Sequence, residues 1–127
     1  MPGRHLPVAF RCALSGLWYA LRTQRNMRIQ VGIGLGVVAM GVWLRLTPDR
    51  WAILAVVSGL VLVSEMINTV VEGTVDLVCP DCHPLARTVK DVMAGAVLLS
   101  AIVAVVVGLL ILGPPLWGQL MQRSGAQ

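Results

Sequence analysis

Hydrophobic positions fall into three long runs separated by short polar stretches: Val31 to Leu44, Trp51 to Val63 with a polar-spotted continuation to Val78, and Val92 to Leu112. Ahead of them Phe10, Leu14, Leu17 and Leu21 recur at i, i+4, i+7 and i+11, with Arg11, Ser15 and Arg22 on a neighbouring face. About 20 apolar residues rising 1.5 Å each cross roughly 30 Å of hydrocarbon, so the runs predict spanning helices over about 29–46, 51–78 and 90–113. The first is the shortest and needs Ile29, Gln30, Arg45 and Leu46 as its interfacial ends. The stripe before it predicts a basic amphipathic helix over about residues 8–28, lying on the membrane surface, with a solvated tether as the alternative. The predicted fold class is therefore all-α integral membrane, an N-terminal amphipathic surface helix plus three transmembrane helices, in one domain over residues 1–127.

Composition supports a membrane chain. Of 127 residues 57% are hydrophobic and 13% charged, which is far too apolar for an ordinary soluble domain. Arg4, Arg11, Arg22, Arg25 and Arg28 precede the first span, Arg45 and Arg50 occupy the next loop, Arg87 and Lys90 follow the second span, and Arg123 lies in the tail. By the positive-inside rule the N-terminus and the loop after the second span are cytoplasmic. No run carries a small-residue cleavage pattern, so the N-terminus is expected to stay attached. The first acidic residue is Asp49; a cation near the N-terminal helix would have to be held by other means. Gly32, Gly34 and Gly36 sit inside a span with no strand before them, and Gly32-x-x-x-Gly36 predicts close helix packing rather than a dinucleotide loop.

The cytoplasmic loop reads VCPDCH, Val78 to His83. Cys-x-x-Cys-His is an attachment pattern for c-type haem, and Cys-Pro-x-Cys also has the form of a dithiol redox pair. Covalent haem and stable disulfides belong to oxidising compartments, and a cytoplasmic loop keeps its thiols reduced. A small membrane redox protein using Cys79 and Cys82 is nevertheless one reading of this segment.

The second span carries the other unusual feature, SEMINTVVEGTVD from Ser64 to Asp76. At 100° per residue Glu65, Thr69, Glu72 and Asp76 share one helical face, with Asn68 beside it. A charge at mid-bilayer costs about 2.5 to 3.5 kcal/mol on insertion scales, so three carboxylates on one stripe point to function, with pairing to neighbouring Arg as the structural alternative. If Trp51 marks the outer interface, Glu65 lies about 21 Å along the helix, Glu72 about 31 Å, and Asp76 beyond the far boundary. The stripe descends into the cytoplasmic interface, which suits a reaction between a lipid head and a water-soluble substrate. Lys90, the one lysine among ten basic residues, is either an interfacial anchor or a compact ammonium suited to phosphate oxygens. Carboxylates with an ammonium at an interface support metal-assisted phosphoryl transfer, but no Gly-x-x-x-x-Gly-Lys-Ser/Thr loop or protein-kinase signature is present.

Glu65 to Asp76, EMINTVVEGTVD, resembles the signature of the prokaryotic diacylglycerol kinase and undecaprenol kinase family, Glu-x-apolar-Asn-Ser/Thr-x-apolar-Glu-x-x-apolar-Asp. The resemblance continues through His83-Pro84-Leu85-Ala86 and Lys90-Asp91, and upstream through Ala13-x-x-Gly16 and Arg25-Asn26-Met27-Arg28. The Arg-Asn-x-Arg and His-Pro-Leu-Ala wording is most like the branch that tends toward undecaprenol. The resemblance implies a homotrimer in the bacterial cytoplasmic (inner) membrane with composite sites at subunit boundaries. It implies ATP as co-substrate, Mg²⁺ as cofactor and a membrane lipid alcohol as acceptor, with neither nucleic acid nor haem as partner. By it Glu65 is the general base at the lipid hydroxyl and Glu72 a metal ligand. Asn68, Asp76, Lys90 and Asp91 shape the site and hold ATP phosphates, and Asp81 and His83 sit where the family meets nucleotide. Arg28 matches a surface-helix basic position near the lipid head. Gln24 stands where the family usually has a second metal-binding Glu. Cys12 and Cys82 stand where it often has aromatic residues near nucleotide, and His5 where a basic residue contacts ligand. Within the kinase reading the nearest rival is the choice of lipid, undecaprenol or diacylglycerol; from a different class, a non-catalytic relative weakened at Gln24 is an alternative beside the redox protein.

Overall fold

A computed structural model describes residues 6–81 and 83–126; the expectations for His5 and Cys82 lie outside the described residues. The described chain is helical throughout: α1 (Leu6–Thr23), α2 (Arg25–Trp43), α3 (Pro48–Val78) and α4 (Pro84–Ser124).

The surface helix expected over about 8–28 is divided. Gln24 leaves helical geometry at φ −97° and ψ 115°, so α1 ends at Thr23 and Arg25–Arg28 form the first turn of α2. The last carbonyls of α1 therefore lack intrahelical donors. The Arg28 guanidinium Nη1 donates to one of them, Arg22 O, at 2.9 Å, a basic side chain at the negative end of a helix dipole. Arg28, expected on the surface helix, is thus an α2 residue that clasps the end of α1.

At its other end α2 closes with a left-handed residue, Arg45 at φ 54°. Leu46 N donates to Gly41 O and Arg45 N to Val42 O, both at 3.2 Å, the paired bonds of a Schellman stop. Gly41 is required there: a Cβ would stand 2.6 Å from Trp51 Cη2 and 3.2 Å from Leu46 Cδ1. The close packing predicted at Gly32 and Gly36 does not occur within the chain, where a Cβ at either would meet nothing within 4 Å. The bulky indole of Trp51, not a glycine stripe, selects the approach point.

α3 starts on Pro48 after Thr47, Pro at the first helical turn losing no bond the helix could make. α4 starts on Pro84, and His83 Nδ1 accepts the Leu85 amide at 3.1 Å as its cap. α3 and α4 run antiparallel and make the most extensive contact in the chain. Both are long and apolar enough to cross a membrane. α2 is not: its apolar part from Val31 to Trp43 covers only about 20 Å, because Arg25, Arg28 and Gln30 take up its first turns. α4 continues past the third apolar run, through Pro114 and Pro115, to Ser124. There Arg123 Cζ lies 5.7 Å from the Trp43 ring centroid, within cation–π range.

Little of the chain is covered by the rest of it. Ala20, Met27, Leu54, Val61 and Leu112 are the buried apolar residues, and no described side chain is fully enclosed. Large apolar residues such as Val56, Val70, Leu98, Leu109 and Leu110 stand exposed along α3 and α4. A surface of this kind is stable in hydrocarbon and unstable in water.

Candidate functional site

The polar residues inside the helix bundle gather where α2, α3 and α4 meet. The cluster starts from Glu65, which is only 3% exposed. A carboxylate withdrawn from water needs a donor, since desolvation of an unpaired charge costs several kcal/mol. Gln30 supplies it from α2: its Nε2 donates to Glu65 Oε1 at 3.0 Å. The other oxygen of the same amide, Gln30 Oε1, is buried without a hydrogen-bond partner, as is Asn68 Oδ1. Native proteins leave few such atoms, and each calls for a cause.

One turn along α3 the Asn68 amide Nδ2 donates to Glu72 Oε1 at 3.1 Å. Thr69, on the same stripe, donates its hydroxyl to the Glu65 backbone carbonyl at 3.0 Å, so it stays within its own helix. Beneath Glu65 the Ser64 and Ser100 hydroxyls lie 2.9 Å apart, each also within reach of its own helix backbone carbonyl, Val61 O and Val97 O, so that one hydroxyl donates across the pair and the other to its own helix. This pair fixes the register of α3 against α4.

Toward the loop, Lys90 Nζ of α4 lies 2.5 Å from Asp76 Oδ1 of α3. Both side chains are partly exposed, at 36% and 65%, so the pair sits at an interface that solvent reaches. Asp91 pairs at 4.0 Å with Arg87, one turn away on the exposed face. Asp81 and His83 form the loop between α3 and α4: the His83 amide donates to Asp81 O at 2.8 Å, and the Cys79 thiol to the same oxygen at 3.4 Å.

The carboxylates that the sequence puts on one face thus have three different partners: an amide of α2, an amide of α3 and an ammonium of α4. Glu65, Asn68 and Glu72 form a continuous polar line, with Asp76 and Lys90 at its loop end. Gln24, at the break between α1 and α2, is half-buried and makes no side-chain cap bond. Two contributors were not singled out by sequence: Gln30, read there as an interfacial end, and the Ser64–Ser100 pair. A 100° helical wheel shows which residues share a face but not which neighbouring helix that face meets.

Gln30 also stands at one end of an apolar groove of about 670 Å³ between α2, α3 and α4. Val37 and Met40 of α2, Leu54 and Leu62 of α3, and Ala104 and Leu112 of α4 line its length. Gln30 is the link between the two features, lining the end of the apolar groove and donating to Glu65, with Glu72, Asp76 and Lys90 following toward the loop.

The sequence pattern of the family described as prokaryotic diacylglycerol kinase matches residues 11–112. The chain is 47% identical over 113 residues to a diacylglycerol kinase of Synechocystis, covering 88% of this chain and 65% of that one. It is 37% identical over 101 residues to an undecaprenol kinase of Bacillus subtilis, covering 80% and 82%. A diacylglycerol kinase of Pseudomonas aeruginosa is 29% identical over 84 residues, covering 66% and 68%. The chain therefore spans about two thirds of the length of its Synechocystis relative. The match takes in α2, α3 and the polar line with most of α1 and of α4, and the chain belongs to the prokaryotic diacylglycerol kinase family.

Proposed function

We propose that the chain is a lipid kinase of the cytoplasmic (inner) membrane, transferring the γ-phosphoryl group of ATP to the hydroxyl of a membrane lipid alcohol, undecaprenol or a diacylglycerol. The observation that carries the reading is Glu65, a buried carboxylate bonded to Gln30, whose side chain lines the end of a hydrocarbon-lined groove. The lipid chain lies along the groove and brings its hydroxyl to Glu65. Glu65 takes the hydroxyl proton as the lipid oxygen bonds to the γ-phosphorus, the bond from that phosphorus to the β,γ-bridging oxygen breaks, and ADP leaves. A positioned base supplies about 10² to 10⁴ in rate. Lys90, steadied by Asp76, offers its ammonium to ATP phosphate oxygens at the solvent-reached end, with Asp81, His83 and Asp91 around the nucleotide. The N-terminus and the α3–α4 loop are cytoplasmic in this reading, α2 joins α3 and α4 as a third span with Arg25 and Arg28 reaching to the interface to make up its short apolar length, and three copies assemble with sites at their boundaries.

The donor set fits Mg²⁺. Glu72 carries a carboxylate, and Asn68 beside it keeps a buried carbonyl oxygen without a partner; both are hard oxygen donors, and magnesium commonly takes one or two carboxylates plus substrate phosphates. Among the described residues no three His, Cys, Asp or Glu side chains converge as a metal cage. Glu72, with Asn68 and the Gln24 amide, would hold it; bound there it would neutralise charge on the transferring phosphoryl group.

The direct test offers the purified protein undecaprenol and a diacylglycerol in mixed micelles with γ-labelled ATP. Label should appear in the phosphate of at least one lipid, and transfer to neither overturns the proposal. The place of Gln24 is tested separately. Gln24→Glu should lower the Mg²⁺ concentration for half-maximal activity about tenfold, through added attraction partly offset by desolvation, with little change in lipid dependence. Titrating free Mg²⁺ at saturating ATP reads this, and an unmoved midpoint removes Gln24 from the metal.

A further inference from the structure

Gln30 makes one of its two kinds of amide bond and lacks the other. Its NH₂ group is committed to Glu65 Oε1, while its carbonyl oxygen is buried without a donor. Glu65 Oε2 takes no hydrogen bond among the described residues. Two acceptor oxygens, one on α2 and one on α3, are therefore left without a donor, the first of them buried on a residue that lines the end of the groove. No charged side chain of α2 or α4 pairs with Glu65 among the described residues: Lys90 lies against Asp76 and Arg28 against the Arg22 carbonyl.

We propose that Gln30 is a positioning residue for phosphoryl transfer to the lipid: it holds the Glu65 carboxylate in one orientation through its NH₂ group. In that orientation Oε2 is the oxygen left for the lipid hydroxyl. The proposal rests on Glu65 being the base, as set out above. A free carboxylate on three rotatable bonds samples several rotamers, and a base out of line by about 1 Å loses a large part of its effect. The amide removes that freedom without adding charge. It also favours the alcohol over its product, because an open carbonyl beside a carboxylate attracts a hydroxyl donor and repels a phosphate that offers only acceptors.

The test uses the full chain in lipid–detergent micelles, with undecaprenol and a diacylglycerol as acceptors. Gln30→Met keeps the length of the side chain and removes the donor. It should lower kcat about 10- to 100-fold while the KM for ATP stays within twofold. Gln30→His, whose ring N–H reaches a similar depth, should restore most of that loss. A purely structural contact between α2 and α3 would instead lower thermal stability in both variants and leave kcat within twofold in the folded fraction, which overturns the proposal. If Gln30→Met does not assemble, Gln30→Asn, one methylene short of Glu65, takes its place: kcat should fall in Asn and hold in His, and equal values overturn the proposal. Glu65→Gln run in parallel separates the two readings. Turnover in that variant removes the base and Gln30's role with it, whereas an inactive Glu65→Gln beside a fully active Gln30→Met removes Gln30 alone.

Discussion

Glu65→Gln should abolish phosphorylation of the lipid while the protein remains folded and continues to bind ATP. The expected loss is about 10² to 10⁴ in kcat, the range a positioned base contributes, or about 3 to 5.5 kcal/mol of barrier at 1.36 kcal/mol per tenfold. Folding should survive because the substitution keeps the shape and removes a buried charge. The new amide can also donate to Gln30 Oε1, the acceptor that has no donor in the native protein. Single-turnover transfer from labelled ATP, together with nucleotide binding measured on the same preparation, separates chemistry from binding. Turnover within tenfold of wild type would move the base to Asp76 or Asp91.

The second large effect belongs to Lys90. Its ammonium pairs with Asp76 Oδ1, and in the proposed function it also meets ATP phosphates. Lys90→Met removes one charge-assisted hydrogen bond, a class contributing about 1.5 to 3 kcal/mol, and leaves Asp76 as an unpaired carboxylate beside a polyphosphate. kcat/KM for ATP should fall about 10- to 100-fold with the dependence on lipid concentration little changed. Lys90→Met/Asp76→Asn should recover only the part caused by the unpaired carboxylate. If the double variant regains full kcat/KM, Lys90 serves Asp76 and not the nucleotide.

The helices were legible in the sequence because apolar runs and a 3.6-residue stripe report directly on what each segment can bury. Their ends were less so. The division at Gln24 carries no Gly or Pro, so Arg25 to Arg28 read as the end of the surface helix and not as the first turn of the span. α4 outlasts its apolar run because Pro114 and Pro115, which ordinarily end a helix, are carried within it. Within the site, the stripe of Glu65, Glu72 and Asp76 was visible because carboxylates in an apolar run are expensive to keep. Gln30 was not, since a neutral amide near the end of a span looks like an interfacial residue until its partner on another helix is known. The serines were hidden for the same reason: a hydroxyl can satisfy itself on its own helix backbone, as Ser64 and Ser100 are each placed to do.

α4 is fastened near both ends, by Lys90 to Asp76 of α3 and by Arg123 over Trp43 of α2. At 1.5 Å per residue its 41 residues extend about 60 Å, roughly twice the hydrocarbon thickness. Contacts at two heights favour one register of α4 against its neighbours, so sliding to follow a thicker or thinner bilayer would break one or both of them. Leaning keeps both, and α3 leans with α4. Glu65 lies part-way along that leaning pair and Asp76 near its tip, so a change of lipid chain length alters the depth of Glu65 differently from that of Asp76. In the proposed function, bilayer thickness would then set how a lipid at Glu65 lines up with a nucleotide at Lys90.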